Sequence, residues 1–256
     1  MIDTTKWTAL GLVALAFVAC KKDSDDSVTP SPTHEHHHAT VKVGIAFRTG
    51  GNVFTLDSVL TDGDGHKLKL TKARFFLSNA YAIDDADATV GEFPHTYILA
   101  SASTDDNTFE LGEIEAGHVH ALVFAIGLDS ATNHSDPTQY TTFPLNDASM
   151  HWSWNADVGY KFVELEGLVD DDGDGVVDDA DPGFLFHCAG DALLTPDTAH
   201  VHHTLVEGEV FTVQLQVHMD QLFNGMNLLS YPMEMGATTG TRQVVRNLAA
   251  ALDSEH

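Results

Sequence analysis

The sequence predicts an all-β fold, a single antiparallel β-sandwich-like domain with long loops and a short C-terminal helix. Apolar residues recur with a period of two at the start of this domain, so Val41, Val43, Ile45 and Phe47 share one face of a strand. Segments rich in Gly, Asp and Asn separate this run from later runs of the same kind. Many short strands with such turns, and few helical patterns, are typical of a sandwich or barrel.

The remaining elements follow from the same pattern. A helix is expected near the C terminus, where Val244, Val245, Leu248 and Leu252 fall at helical spacing. Neither a repeat of fixed period nor a second composition regime divides the chain, so residues 40–256 are predicted to form one domain. The strands are expected at 41–47, 53–60, 67–82, 96–100, 118–128, 160–168, 184–187 and 206–218.

Residues 1–19 are predicted to be a signal peptide. One Lys precedes an apolar run over 7–19, which is too short for a bilayer span of about 20 residues. The segment Phe17-Val18-Ala19-Cys20 resembles a bacterial lipobox, so Cys20 is expected to carry lipid and residues 20–39 to form a disordered tether. We therefore expect a lipid-anchored protein of the bacterial envelope, facing the periplasm or the outside. Ordinary signal cleavage nearby is the alternative.

Composition excludes several classes of protein. The chain has 12 Lys+Arg and 38 Asp+Glu, and 12 − 38 gives a formal charge of −26. Nucleic-acid binding requires a basic surface, so no nucleic-acid partner is expected. Two Cys are too few for a zinc ribbon, an iron–sulfur cluster or a disulfide-rich domain. The 16 His instead favour a metal-binding hypothesis.

An acidic segment over residues 170–182 predicts a calcium-binding loop. Its Asp residues alternate as in EF-hand-type loops, and Gly175 occupies the sixth position, where the chain must turn sharply. The spacing resembles thrombospondin type 3 and dockerin repeats, and an acidic solvated turn is the alternative. The expected calcium ligands are the carboxylates of Asp170, Asp172, Asp174, Asp178 and Asp181 and the carbonyl of Val176.

The shorter turn Asp62-Gly63-Asp64-Gly65 is predicted to be a hairpin loop.

Histidine and tryptophan motifs follow one another through the middle of the chain. The motifs are Asn133-His134-Ser135-Asp136-Pro137, Met150-His151-Trp152-Ser153-Trp154, Gly159-Tyr160-Lys161-Phe162 and Phe186-His187. Their order resembles the MbnP-like family of periplasmic copper-binding proteins. The resemblance covers roughly residues 41–230 and includes the early strand segment 73–79 and the later segment 124–128.

The resemblance implies a copper site in which one Trp is oxidised to kynurenine by a dihaem partner of the MbnH type. His134 and His187 are then the expected imidazole ligands, and either Trp152 or Trp154 is the modified residue. The chain departs from the family pattern after His187, where Cys188 follows, and in the acidic loop before it. His151 stands where the family often has an aromatic residue; it is either a further ligand or a solvent-facing side chain.

Other potential ligands have ordinary interpretations as well. The acidic-flanked cluster at His34 and 36–38 either collects copper or zinc weakly or is solvated tail. Cys188 is expected to be a free thiol or a soft copper ligand. The remaining candidates are expected more often at surfaces or in the core than at a metal: His118 and His120 on one strand face, His200, His202 and His203 in a loop, His218 at a strand end, and Met219, Met226, Met233 and Met235.

Three functions are compatible with these patterns. The first is a copper-binding envelope lipoprotein without turnover, so no enzyme. The second is a hydrolase or oxidase that uses a histidine-bound metal, although no His-Glu-x-x-His, Gly-x-Ser-x-Gly or phosphate-loop motif is present in the sequence. The third is a calcium-stabilised surface adhesion or scaffold protein.

Overall fold

The computed structural model describes residues 37–152, 155 and 157–254. Within these residues the chain forms two packed β-sheets. The strands are β1 (His38–Thr49), β2 (Asn52–Val53), β3 (Leu60–Thr61), β4 (Lys67–Ile83), β5 (Thr89–Glu92), β6 (Ile98–Ser101), β7 (Thr108–Glu115), β8 (His118–Ile126), β9 (Lys161–Val169), β10 (Gly183–Ala189), β11 (Thr195–Thr204), β12 (Val210–His218), β13 (Met233–Met235) and β14 (Leu252–Ser254). The α-helices are α1 (Ser130–Asn133) and α2 (Thr239–Ala251).

Sheet 1 has five strands and sheet 2 has nine. In sheet 1 the order is β14-β12-β1-β2, with β7 also paired to β1. In sheet 2 the order is β11-β8-β4-β9-β10-β13, and the short strands β3, β5 and β6 pair with β4. Most pairings are antiparallel, but β1 with β12 and β10 with β13 are parallel. Both sheets are therefore mixed.

One hydrophobic core lies between the sheets. Strand alternation turns Val43 of β1 and Leu215 of β12 toward Leu122 and Phe124 of β8, and all four side chains belong to the same buried cluster. The rings of Phe47 and Phe75 meet edge to face across the sheets, with centroids 6.1 Å apart. The prediction of an all-β, sandwich-like domain is confirmed.

The predicted C-terminal helix is present as α2. Thr238 caps its N terminus, and its side chain and that of Thr241 form a reciprocal capping box. Val244, Val245 and Leu248 are buried against the core, as their spacing predicts. Neither described helix is long and apolar enough to cross a bilayer.

The N-terminal predictions fall mostly outside the described residues. These are the signal peptide, the acylated Cys20 and the tether up to residue 36. Strand β1 begins at His38, two residues before the predicted start of the domain. His37 is exposed and its Nδ1 lies 2.6 Å from a carboxylate oxygen of Glu207.

Candidate metal centre

The candidate centre lies on the outer face of sheet 2. Side chains alternate along β4, β9 and β10, and the register places Arg74 and His187 on either side of Glu164. Glu166 points the same way one step along β9. The neighbouring residues Phe75, Val163 and Phe186 point into the core. Three strands thus present one imidazole and two carboxylates to a single patch.

His187 is held by these carboxylates. Its Nε2 lies 2.8 Å from Oε1 of Glu166 and 3.7 Å from Oε1 of Glu164. Lys72 approaches Glu166 at 3.1 Å from the other side. Burial by itself would raise the pKa of Glu166, but hydrogen bonds from His187 and Lys72 outweigh it, so the pKa is lowered. Glu166 therefore remains ionised and fixes the orientation of the imidazole.

Glu164 is 1% exposed, and a buried carboxylate of this kind requires compensating cations. Arg74 donates to it from Nε at 2.8 Å and also from Nη2, and Lys161 donates from Nζ. Arg74 further reaches Asp147 at 3.1 Å and Ser149 at 3.0 Å. The guanidinium thereby anchors the β8–β9 connection above the patch.

Trp152 lies in that connection and packs onto the patch. Its side chain is 7% exposed, and its ring centroid lies 6.5 Å from that of His187, with the planes tilted by 56°. The backbone is fixed on both sides, because the Trp152 amide donates to Gly159 and the Trp152 carbonyl accepts from Asn155, each at 3.0 Å. Trp154 lies outside the described residues.

His134 ends the short helix α1, whose N terminus is capped by Asp129. Its Nε2 lies 3.1 Å from Oδ1 of Asp191, and the neighbouring Asn133 donates to the same oxygen at 2.9 Å. Hydrogen bonds from Ser130, Asn133 and His134 lower the pKa of Asp191. Asp191 is thus an ionised anchor for the His134 loop.

Asn133 joins the two loops. It is fully buried, its Oδ1 accepts from the Tyr160 amide at 2.7 Å, and its Nδ2 donates to the Val158 carbonyl at 3.2 Å. Gly159 passes so close that an added Cβ would lie 2.3 Å from the Asn133 carbonyl oxygen. The Asn-His and Gly-Tyr motifs, 26 residues apart, are therefore directly bonded in the fold.

The structure brings His187 and Trp152 together but joins His134 to them only indirectly. Asp191, the partner of His134, follows β10 by two residues, so both histidines lie toward the same end of that strand. Among the described residues, His187 forms a potential metal-holding group with Glu164 and Glu166, all ligand atoms lying within 4.8 Å of one another. His134 belongs to no such described group of three.

Sequence reasoning missed Glu164 and Glu166, as well as Asp191. The available signal was the spacing of Glu164 and Glu166, which matches that of the basic pair Lys72 and Arg74 and puts opposite charges on facing strands.

His151 is half-buried. Its ring meets that of Tyr160 edge on, with centroids 4.8 Å apart, and its Nδ1 is buried without a hydrogen-bond partner among the described residues. Burial lowers the pKa of His151, and the charge of Asp136 only partly offsets this. Burial therefore favours the neutral imidazole, and the side chain is partly rather than fully exposed to solvent.

Sulfur ligands divide between core and surface. Cys188 follows His187 in the strand and so faces the core, where its Sγ lies 3.9 Å from the Thr241 carbonyl oxygen. Complete burial raises the pKa of the Cys188 thiol, which disfavours the thiolate that copper would bind. Met219 and Met226 are also core residues. Met235 is exposed and pairs with His187 across β13 and β10.

The acidic loop gathers three of its five predicted carboxylates. Ligand oxygens of Asp170, Asp172 and Asp174 lie within 4.8 Å of one another. Asp178 and Asp181 lie outside this group; they accept hydrogen bonds from the backbone amides of Ala180 and Asp178, at 2.8 Å each. The side chain of Val176 is exposed.

Asp62, in the second acidic turn, closes the β3–β4 hairpin and accepts a hydrogen bond from the Leu228 amide at 2.9 Å. The hairpin prediction is therefore confirmed.

This architecture is similar to that of a known protein family. No curated protein sequence matches the chain. A solved structure, MbnP from Methylosinus trichosporium, is similar with a TM-score of 0.53 and 16% identity, covering 79% of this chain and 82% of that one. At this identity the likeness shows the fold alone. The family model MbnP matches residues 38–238, which is more than half of the chain. The chain therefore belongs to the MbnP family.

Proposed function

We propose that this protein binds copper at the outer face of sheet 2, with His187 and His134 as imidazole ligands and Trp152 oxidised to kynurenine. Family membership supports the association with copper. The observation that carries the proposal is the contact between the buried Trp152 ring and His187. Trp152, rather than Trp154, is proposed because its ring packs on a candidate ligand.

The chemistry requires the indole to change. The indole nitrogen contributes its lone pair to the aromatic system and offers none to a metal. A peroxide- or O₂-derived oxidant, activated by a dihaem partner of the MbnH type, would add two oxygen atoms across the pyrrole double bond and break that carbon–carbon bond. Hydrolysis then releases one carbon as formate. The products on the side chain are a ketone and an aniline, which do have lone pairs for copper.

The residues around His187 suit a metal ligand. With its proton on Nε2, directed at Glu166, the imidazole keeps its lone pair on Nδ1. Imidazole nitrogen is a good donor for copper, and the exposed Met235 thioether beside it suits Cu(I). Glu166 is proposed as the carboxylate that orients the ring. We propose a binding protein rather than an enzyme.

The decisive experiment is mass spectrometry of the full chain produced with and without the dihaem partner. Co-production should replace one carbon of Trp152 by one oxygen, and copper uptake should follow. The Trp154→Phe variant should still be modified, whereas Trp152→Phe should not. An unmodified Trp152 that nevertheless coexists with full copper binding would overturn the proposal.

Substitutions distinguish the proposed imidazole ligands from the carboxylate that orients one of them. His187→Gln and His134→Gln should abolish copper uptake, and Glu166→Gln should weaken it by about 10- to 100-fold. His66→Gln is the matched control, because the His66 Nδ1 also lies 2.9 Å from a carboxylate oxygen, that of Asp62. Retention of copper by His187→Gln would refute the assignment of that ligand.

We also propose that the loop over 170–182 binds calcium in a structural role. The convergence of Asp170, Asp172 and Asp174 supports it, and Asp178 and Asp181 would have to move toward these three carboxylates to join. Calcium at about 100 times its dissociation constant should stabilise the fold by about 2.7 kcal/mol. Asp172→Asn should lose this gain and Asp179→Asn should keep it; equal melting temperatures with calcium and with chelator would refute the site.

The remaining part of the proposal concerns location. A lipid on Cys20 would hold the protein in the bacterial envelope, with the residues between Cys20 and the start of β1 at His38 as the tether. The Cys20→Ser variant should then move from the membrane fraction to the soluble fraction. An unchanged distribution would contradict the anchor without affecting the copper site.

A further inference from the structure

A second cluster of histidines lies at the other side of sheet 2, where β11 pairs with β8. His118 and His120 alternate along β8 and share a face. His200 and His202, predicted to lie in a loop, belong instead to the edge strand β11. From β8 to His187 on β10 there are three strand steps, roughly 14 Å at about 4.8 Å per step, so this cluster is separate from the proposed copper centre.

Three imidazoles of this cluster meet within reach of one ion. Ring centroids lie 4.3 Å apart for His120 and His202, and 5.3 Å apart for His120 and His200. The rings of His200 and His202 are stacked with centroids 6.0 Å apart. One ring nitrogen of each residue lies within 4.8 Å of the others. Tetrahedral zinc with bonds of about 2.0–2.1 Å needs nitrogen separations of roughly 3.3 Å. Rotation of the two exposed residues, His200 and His202, can supply the difference.

A β-bulge produces this convergence. His200 pairs with Ala121 and His203 with Val119, so both Val201 and His202 lie opposite His120. His202 has a φ of 46°, a left-handed conformation that is uncommon for residues other than glycine. The extra residue re-aims the His202 ring toward β8, which a regular ladder would not do.

Asp85 supplies the outer support that metal-bound imidazoles usually have. Its Oδ1 lies 3.0 Å from Nδ1 of His120, which leaves Nε2 of that ring for an ion. Its Oδ2 lies 3.3 Å from Nε2 of His118. His202 also forms a second potential group with Asp85 and His118, so one carboxylate connects all of the β8 imidazoles to the cluster.

We propose that this β8–β11 cluster is a second metal site, which takes a divalent transition ion of the zinc class through His120, His200 and His202. Three nitrogen donors favour zinc-type ions over calcium, which prefers oxygen. The fourth position is left to water or to Asp85. The formal charge of −26 also attracts cations to this exposed edge.

The test is calorimetric titration of Zn²⁺ into the full chain made without the dihaem partner. One equivalent should bind, and His120→Gln or His202→Gln should remove that binding. Asp85→Asn should weaken it by about 10- to 100-fold. His203→Gln is the matched control, because His203 neighbours the cluster but bonds to Glu209 at 2.8 Å. Circular dichroism should show that each variant keeps its fold.

Three further variants distinguish this site from the other possible zinc-binding groups. In His187→Gln and in His134→Gln the zinc equivalent should remain, so failure of the copper proposal leaves this one untouched. In a variant with His34, His36, His37 and His38 all changed to Gln it should also remain. Zinc binding that persists in His120→Gln, or that disappears in the His187→Gln or the tail variant, would overturn the second site.

Discussion

Removal of the Asn133 side chain is the sharpest test of how the two motif loops are coupled. Asn133→Ala deletes the acceptor of the Tyr160 amide and the donors to Val158 and Asp191. Tyr160 is fully buried, so no water can replace the lost acceptor. Asp191 keeps its hydrogen bond from Ser130 and is partly exposed to water, so the loss of the Asn133 donor costs less free energy there.

The magnitude follows from these environments. An unsatisfied buried amide costs about 1–3 kcal/mol, and each remaining bond contributes about 0.5–1.5 kcal/mol before solvent replaces it. Because the other two partners are partly accessible to water, we expect a total loss of about 2–4 kcal/mol. In a chain of 256 residues this corresponds to a melting temperature lowered by about 5–15 °C.

Urea unfolding and amide hydrogen exchange measure the effect. The unfolding midpoint should fall in Asn133→Ala, and the Tyr160 amide should exchange faster than in the parent. Asn52→Ala is the control, because Asn52 is exposed and makes only a 3.4 Å bond to Gly50; it should change stability by less than about 0.5 kcal/mol. A loss below about 1 kcal/mol in Asn133→Ala, with unchanged exchange at Tyr160, would refute the coupling.

Three other perturbations have defined outcomes. Gly159→Ala should destabilise by about 3 kcal/mol or more in thermal unfolding, because its φ is 74° and its Cβ would collide with Asn133; Gly208→Ala, with φ of 76° and open space, should lose only about 1 kcal/mol. Asp62→Asn should lose about 1–3 kcal/mol in urea unfolding at neutral pH. Burial alone would raise the pKa of Asp62, but the amides and imidazole bonded to it lower the pKa below its ordinary 3.8. Its contribution is therefore present above that value and disappears as pH falls through the lowered pKa, so the difference between parent and variant should begin to shrink below about pH 4 and vanish only below the lowered pKa. Cys188 should react with a thiol reagent at least about 100-fold more slowly in native than in denatured protein.

Each of these expectations has an outcome that contradicts it. Equal losses in Gly159→Ala and Gly208→Ala would show that strain, and not the contact with Asn133, determines the effect. A constant difference between parent and Asp62→Asn down to acidic pH would show that the charge of Asp62 is irrelevant. Rapid labelling of native Cys188 would place its thiol at the surface.

The fold was predictable where one face of a strand is buried and the other is not. The alternation over β1 and the run that became β4 have this character, and both strands are present. The predicted strand over 53–60 is wrong: only its ends pair, because Thr55 and Ser58 close a turn between them. Val53 and Val59 are exposed whereas Phe54 and Leu60 are buried, so the apolar pattern here reflects burial in the core without strand pairing.

The strands that escaped prediction lie at edges or carry bulges. β11 contains Pro196 and alternates His and Thr with few apolar residues, because most of its side chains face solvent. β7 has an apolar face, but the register shift opposite Gly112 breaks the period of two. Such strands are specified by their partners, and the pairing is not visible in a local window of sequence.

The candidate site, like the fold, was only partly predictable from the sequence. Trp152 and His187 lie in motifs that were recognisable one by one, and the fold does bring their rings together. The carboxylates around His187 were missed, because Glu164 becomes a neighbour only through the register of β9 with β10 and the matching spacing of acidic and basic pairs was a weak signal. Local patterns thus indicate which residue types are unusual, whereas the charge environment depends on strand pairing.

Strands and loops have different roles in the candidate centre, and this difference affects metal binding. His187 and Glu166 are fixed by the ladder of sheet 2, and the oxidisable Trp152 is carried by a connection that Arg74 and Asn133 hold in place. A rigid ligand on a strand can keep its orientation while the ring above it is chemically changed, because the change breaks no sheet hydrogen bond. If Trp152 is oxidised as proposed, the oxidation should therefore alter the affinity of the proposed centre for copper far more than it alters the free energy of unfolding of the domain.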